Sequence, residues 1–282
     1  MILIPKRYSY IEAYLTLRCN LSCKYCVNSY SGVTRKRDEL SAKQWIDSLN
    51  KIKTNGLPIT LGGGEPTIHK GFYEIVNGIK EETTIDLLTN GQFDVREFIK
   101  NAPANKFTRR GSEYKSIRMS YHVKSMEATI IAQTTCDLMN AGYSVGIFGL
   151  NHPENLSANV MMTEICRQVG VYFFVRDFLG YYRDRLYGNY KYYSALNGNK
   201  KDCLCRTSEL LIGPEGNIYR CHRDLYSNEG SIASITNKYL DIDGNFRKCS
   251  NYGTCNPCDS KEKISSDLIT SRCAIEVETD EK

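Results

Sequence analysis

The stretch YIEAYLTLRCNLSCKYC (residues 10–26) decides the reading of this chain: a run rich in aromatic and apolar residues ends at Leu17, and cysteines follow at 19, 23 and 26. The composition of residues 10–17 predicts a β-strand. The three thiols then occupy the loop at its carboxyl end, where an α/β fold keeps its chemistry. A structural zinc site draws on four ligands, commonly two Cys-x2-Cys knuckles, and this loop carries three thiols with no fourth Cys or His beside them in sequence. Three thiolates suit a four-iron cluster that leaves one iron open to a ligand from solution.

Outward from that loop, short β-rich runs alternate with longer segments of helical period as far as residue 180. The further strand candidates are LPITLG (57–62), TIDLLTN (84–90), SIRMSYHV (116–123), YSVGIFGL (143–150) and VYFFVRDF (171–178). Between the first two, SAKQWIDSLNKIKTNG (41–56) reads as a helix capped by Ser41 and closed at Gly56, with Trp45, Ile46, Leu49 and Ile52 on one face. KSMEATIIAQTTCDLMNAG closes similarly at Gly142. Repeated βα units predict a parallel sheet, closed into a full or partial barrel or doubly wound, with ligands at the carboxyl ends of the strands.

The chain has 282 residues, 41% of them apolar, enough for one large domain or a large and a small one. Its formal charge of +5 is spread among 32 acidic residues, so no nucleic-acid footprint stands out. No window approaches the ~20 apolar residues of a membrane span, and the N-terminal apolar run is too short for a signal-peptide core. The expectation is a cytoplasmic protein without membrane or nucleic-acid partners. In a reducing compartment the 12 cysteines point to metal or redox chemistry rather than to disulfides. Cys136 and Cys166 fall in helix-like segments and read as buried core thiols.

A second motif stands one βα unit further on. LGGGEPT (61–67) closes the second strand; three glycines let backbone approach a ligand closely, although they would also make an ordinary strand-to-helix turn. Cys-x3-Cys-x2-Cys with an aromatic before the last cysteine (Cys19, Cys23, Tyr25, Cys26), followed by this turn, resembles the radical SAM superfamily. The resemblance implies a [4Fe-4S] cluster on Cys19, Cys23 and Cys26, with S-adenosylmethionine bound to its open iron. It places Tyr25, Gly62, Gly63, Gly64, Glu65 and Pro66 at the cofactor. LLTNGQ (87–92) resembles the family's TNG turn, which adds Asn90, and Ser120 in RMSYH occupies a position of cofactor contact. The implied fold is α/β: a partial (β/α)6 TIM-like barrel over residues 1–180, with a small C-terminal iron–sulfur-binding extension.

Residues 181–200 lose the periodicity, are rich in Tyr, Asn and Gly, and read as a linker or covering loop. Beyond them, residues 201–282 hold seven cysteines in a polar, loop-rich segment that a metal staple would stabilise. CLCRTSELLIGPEGNIYRC (203–221) reads as a hairpin whose far ends meet, and NYGTCNPC (251–258) adds a knuckle. Cys203, twelve residues, Gly216, four residues and Cys221 resemble the opening of a SPASM or shorter twitch extension. That resemblance implies one auxiliary [4Fe-4S] cluster on Cys203, Cys221, Cys255 and Cys258; the spacing departs from the full SPASM pattern and leaves a second cluster open. Cys205, Cys249 and Cys273 are spare thiols, and a structural zinc ribbon is the plain alternative.

The implied activity is hydrogen abstraction from a substrate C–H bond through a 5′-deoxyadenosyl radical. The auxiliary cluster would be an electron conduit, with a one-electron donor such as flavodoxin or ferredoxin as partner. Because the chain begins shortly before the first strand, a small polar metabolite such as a sugar or cyclitol is the expected substrate, with a short peptide of the ribosomally made, modified kind as alternative. A non-catalytic iron–sulfur or zinc module is the reading of another class. His122, His152, Arg176 and Asp177 lie near strand ends as candidate assisting groups; none is assigned a catalytic role.

Overall fold

The structure is a computed structural model and describes residues 1–26, 37–108, 114–188, 198–238, 240–253 and 275–278. The strands are β1 (Ile2–Leu3), β2 (Tyr10–Thr16), β3 (Ile52–Lys53), β4 (Ile59–Gly63), β5 (Ile85–Thr89), β6 (Ile117–Ser120), β7 (Val145–Asn151) and β8 (Phe173–Asp177). They continue with β9 (Gly180–Tyr182), β10 (Arg185–Tyr187), β11 (Lys201–Thr207), β12 (Glu209–Ile212), β13 (Asn217–Tyr219), β14 (Ala233–Ser234), β15 (Arg247–Tyr252) and β16 (Ile275–Glu278). The α-helices are α1 (Ala42–Leu49), α2 (Phe72–Gly78), α3 (Val95–Asn101), α4 (Ala128–Asn140), α5 (Leu156–Val169) and α6 (His222–Ser227).

Nine strands form one mixed sheet in the order β14-β13-β12-β2-β4-β5-β6-β7-β8. From β12 to β8 every pairing is parallel, and β2, β4, β5, β6, β7 and β8 stand side by side in chain order. All six strands read from the sequence are present. On β2, Ile11, Ala13 and Leu15 join the main core with Trp45, Leu49, Ile75, Phe98, Ile131 and Met162 of the helices. Tyr14, together with Leu17 just after the strand, faces a second cluster with Leu211, Tyr219, Leu225 and Tyr226. The sheet is therefore covered on one face by α1 to α5, and on part of the other by α6.

α1 starts as its sequence predicts, with Ser41 and Gln44 forming a reciprocal capping box. It ends earlier than predicted, at Asn50 rather than Gly56. The Asn50 backbone N–H closes on Ile46 O while its side chain bonds Gly78 O and Lys80 N. Ile52, expected on the helix, is in β3 and pairs with Ile2 of β1. Leu138 of α4 joins Val145 and Ile147 of β7 in the main core, and the helix's end at Asn140 agrees with the reading of Gly142.

The C-terminal segment divides. β12 and β13 form the hairpin expected around the PEGN turn, with Ile212 opposite Ile218 and Gly213 N–H donating to Asn217 O. β12 also pairs in parallel with β2, so this hairpin extends the main sheet. β11, β15 and β16 make a separate three-stranded sheet. Within the presumed linker, β9 and β10 form a short antiparallel hairpin.

Candidate functional site

β2 ends at Thr16, and the two residues after it deliver the first thiol. Thr16 Oγ1 and the Arg18 guanidinium both donate to the Glu39 carboxylate, Arg18 Nε at 2.8 Å and Nη2 at 2.8 Å. Burial alone would push the Glu39 carboxyl up; the bonds from Arg18 and Thr16 outweigh it and hold the group below its usual range. Glu39 therefore clasps the base of the thiol loop. Nothing in the sequence marked this contact, since its partners lie 21 and 23 residues apart and carry no motif.

The glycine turn clasps the same base from the side. Gly64 N–H donates to Thr16 O and Glu65 N–H to Arg18 O, both at 2.8 Å. A Cβ on Gly64 would overlap the backbone carbonyl of Arg18, and one on Gly63 that of Thr16. These glycines are bare because a neighbouring strand end occupies the space. Pro66 opens a single 3₁₀ turn, and Glu65 caps it.

The Glu65 carboxylate is fully buried and fully used. Oε1 accepts from Thr67 N–H, Thr67 Oγ1 and Thr89 Oγ1, and Oε2 accepts from Asn90 N–H at 2.7 Å. Burial raises this carboxyl despite those donors. Glu65 thus ties the end of β4 to the end of β5, and it turns Asn90 toward the thiols: Asn90 Nδ2 donates to Asn20 Oδ1 at 2.7 Å and reaches Cys19 Sγ at 3.9 Å.

Across the loop, His122 Nδ1 meets Cys23 Sγ at 3.3 Å and the Tyr25 hydroxyl at 3.2 Å. Burial pushes the His122 imidazole down from its ordinary value. The Tyr25 ring stacks on His122 and also meets His152 at 5.4 Å. His152 itself accepts from Glu154 N–H and packs against Phe178 and Tyr182, a structural employment. Arg176 donates to the Tyr114 hydroxyl at 3.0 Å, the same hydroxyl that Arg118 engages. Ser120 is half-buried at the end of β6. The absence of a histidine beside the loop in sequence is thus made good in space by His122, 99 residues from Cys23.

Cys19, Cys23 and Cys26 are partly exposed thiols, none of them in a disulfide. Among the described residues no three His, Cys, Asp or Glu side chains stand in metal-sharing geometry. The donor set itself fits a four-iron cluster: three thiols in the one loop that follows β2, with the Asn90 amide and the Tyr25 ring beside them.

In the second group, Cys203 on β11 lies directly opposite Cys249 on β15. Cys205 donates its S–H to Cys249, which raises the Cys205 thiol and lowers that of Cys249 to about 6. Cys205, Cys249 and Cys221 line one cavity with Arg206, Arg220 and Arg247. The structure thus brings Cys203 and Cys221 into the company of Cys205 and Cys249, the thiols that the spacing had left spare. Cys255, Cys258 and Cys273 lie outside the described residues. Cys136 is half-buried and Cys166 buried.

Residues 14–109 match the radical SAM superfamily. Over 84 residues the chain is 32% identical to an S-adenosylmethionine-dependent nucleotide dehydratase of Selenomonas ruminantium, covering 29% of each chain. Over 79 residues it is 42% identical to the sporulation killing factor maturation protein SkfB of Bacillus subtilis (strain 168), covering 27% of this chain and 19% of that one. Each match spans less than a third of the relative's own length. Streptococcus suis SuiB, solved bound to precursor peptide SuiA, superposes with a TM-score of 0.56 at 15% identity, over 80% of this chain and 62% of that one. No helix among the described residues is long and apolar enough to cross a membrane.

Proposed function

We propose, on the match of residues 14–109 to the radical SAM superfamily, that the chain is an enzyme that abstracts a hydrogen atom from a peptide substrate. Cys19, Cys23 and Cys26 would hold a [4Fe-4S] cluster, and the Gly62–Pro66 turn with Asn90 and Ser120 would border the methionine half of S-adenosylmethionine. When bound, the two supply the one-electron cleavage that generates the hydrogen-abstracting radical. The chain's own work is positional: Glu39 and the glycine turn fix the loop base, Asn90 orients Cys19, and the Tyr25, His122 and His152 rings wall one side. The observation that carries this reading is the double clasp on Thr16 and Arg18, which joins both sequence motifs into one site.

A peptide is preferred to a sugar or cyclitol because SkfB is a maturation protein and SuiB was solved with a precursor peptide. The strand order β2-β4-β5-β6-β7-β8, six neighbouring parallel strands in chain order, supports a partial (β/α)6 barrel. The thiols at 205, 221 and 249, which line one cavity, with Cys203 acting on Cys205 beside them, support an auxiliary iron–sulfur site in the C-terminal segment. A soluble one-electron donor would complete the system.

One contact favours a second reading. His122 beside Cys23 offers a Cys3His set for zinc. The discriminating experiment is anaerobic reconstitution with iron and sulfide, reduction in the presence of S-adenosylmethionine, and assay of 5′-deoxyadenosine. Nucleoside formed by the wild type and lost on replacing any of Cys19, Cys23 or Cys26 by Ala supports the enzyme. Stoichiometric zinc with no nucleoside supports the zinc site.

A further inference from the structure

At the β8 end of the main sheet stand two cations that the function proposed above leaves unused. Val145 and Ile147 of β7 lie in the main core, so strand alternation turns Gly146 and Phe148 to the opposite face. In register, Ser120 of β6 stands beside Phe148, and Phe148 beside Phe174 of β8, with Arg176 two residues further along. The Phe148 ring lies 6.0 Å from Tyr172, just before β8, and 6.1 Å from Phe174. Phe148 is buried, whereas Tyr172 and Phe174 are each 43% exposed. Among the described residues β8 is the last strand of its sheet. Two large rings side by side at an open sheet edge are the kind of apolar surface that a partner covers.

The charge on this face is one-sided. Arg176 lies over the Phe148 ring at 5.5 Å, and its Nη2 donates to the Tyr114 hydroxyl at 3.0 Å. Arg118 engages the same hydroxyl, but its charge is met by Asp86 at 3.2 Å. Lys115 lies over the Tyr172 ring at 5.7 Å, and a Cβ on Gly146 would crowd both that ring and the Lys115 stem. Arg176 and Lys115 are half-buried, and among the described residues neither has a carboxylate partner. A guanidinium over an aromatic ring keeps edge donors for a planar carboxylate.

We propose that this face docks an acidic segment of the peptide substrate: Arg176 takes a side-chain carboxylate, Lys115 adds attraction beside Tyr172, and the Tyr172 and Phe174 rings cover the flanking apolar side chains. The inference rests on the peptide reading above and deepens it. Continuity with the candidate site supports this occupant. The row begins at Ser120, and β8 leads into Phe178, whose ring meets His152, itself against Tyr25 of the thiol loop.

The test titrates the full-length chain with three capped tripeptides, acetyl-Phe-Asp-Phe-amide and its Asn and Lys counterparts, by saturation-transfer NMR. Wild type should bind the Asp peptide saturably and about tenfold more tightly than the Asn peptide, as a hydrogen bond between charged groups gives. The Lys peptide should bind most weakly. Arg176→Gln should abolish the preference for Asp and leave the Asn peptide unchanged, while Arg176→Lys keeps part of the preference. Phe174→Ser should weaken all three alike. The proposal is overturned if wild type binds none of the probes, or if Arg176→Gln retains the preference. It is equally overturned if that variant weakens the Asp and Asn peptides by the same factor, as a purely structural role would. Should circular dichroism show Arg176→Gln unfolded, Arg176→Lys decides, an undiminished preference counting against the proposal. Binding is read without iron or S-adenosylmethionine, and radical formation by 5′-deoxyadenosine release, so the docking surface and the enzymatic reading can each fail while the other stands.

Discussion

Two acids near the thiol loop respond to pH in opposite directions. The Glu39 carboxyl is lowered by Arg18 and Thr16, so its contribution is full above the ordinary carboxylate value and lost as pH falls through its folded value. The stability difference between wild type and Glu39→Gln should therefore be clear at pH 7 and shrink toward pH 3 in thermal melts; a difference constant with pH contradicts the clasp. Glu12 is raised, so its burial costs stability above its folded value and nothing below its unfolded one. Facing it are Glu209, His222, Tyr14, Tyr226 and Arg118. Glu12→Gln should raise Tm of the cofactor-free protein at pH 7, and a lowered Tm would contradict the account. Gly62→Ala should destabilise and be rescued by Glu12→Ala, since the obstacle is a side chain; Gly64→Ala meets backbone and no single side-chain change should rescue it. Denaturant midpoints of the single and double variants check both. The thiols, the glycine turn and Asn90 were legible because they form short motifs. Glu39 and Glu12 were not, the first lacking any pattern, the second hidden as one charge in a strand otherwise read as apolar.

At the scale of elements, the parallel strands were legible because runs such as ITLGG and VGIFGLN are bounded by turn residues and by helical segments. The end of α1 was not. Ile52 continues the helical period, yet it is buried equally well by pairing in β3, and only the tertiary contacts of Asn50 decide between the two. The placement of β12 was also hidden. Leu210, Leu211 and Ile212 are all buried, Leu210 in the main core and Leu211 in the second cluster, a two-sided burial that a hairpin in a separate extension would not supply. Leu210→Ala should therefore cost about 2–4 kcal/mol in a single cooperative unfolding transition of the whole chain. A separate early transition for the C-terminal segment, seen by calorimetry, would contradict this.

Across the whole molecule, the parallel sheet carries an apolar face toward its helices and a polar layer on the other side. That layer runs from Asp86, Arg118 and Tyr114 through Glu12 to Tyr226, whose hydroxyl is raised mainly by burial, with Glu12 and then Cys26 adding to it. Chemistry gathers at the carboxyl ends of the strands, as the position of the first cysteine after β2 implied. What no local pattern could convey was that residues 99 apart, Cys23 and His122, would meet there. The central claim is an iron with one open position at Cys19, Cys23 and Cys26. It is tested most directly by electron paramagnetic resonance of the anaerobically reconstituted, reduced protein in which Cys203, Cys205, Cys221 and Cys249 are replaced by Ser, recorded without and with S-adenosylmethionine. A cluster signal whose g-values shift when the cofactor is added is the predicted result; a signal that stays unchanged, or its absence with zinc bound in place of iron, would contradict the account.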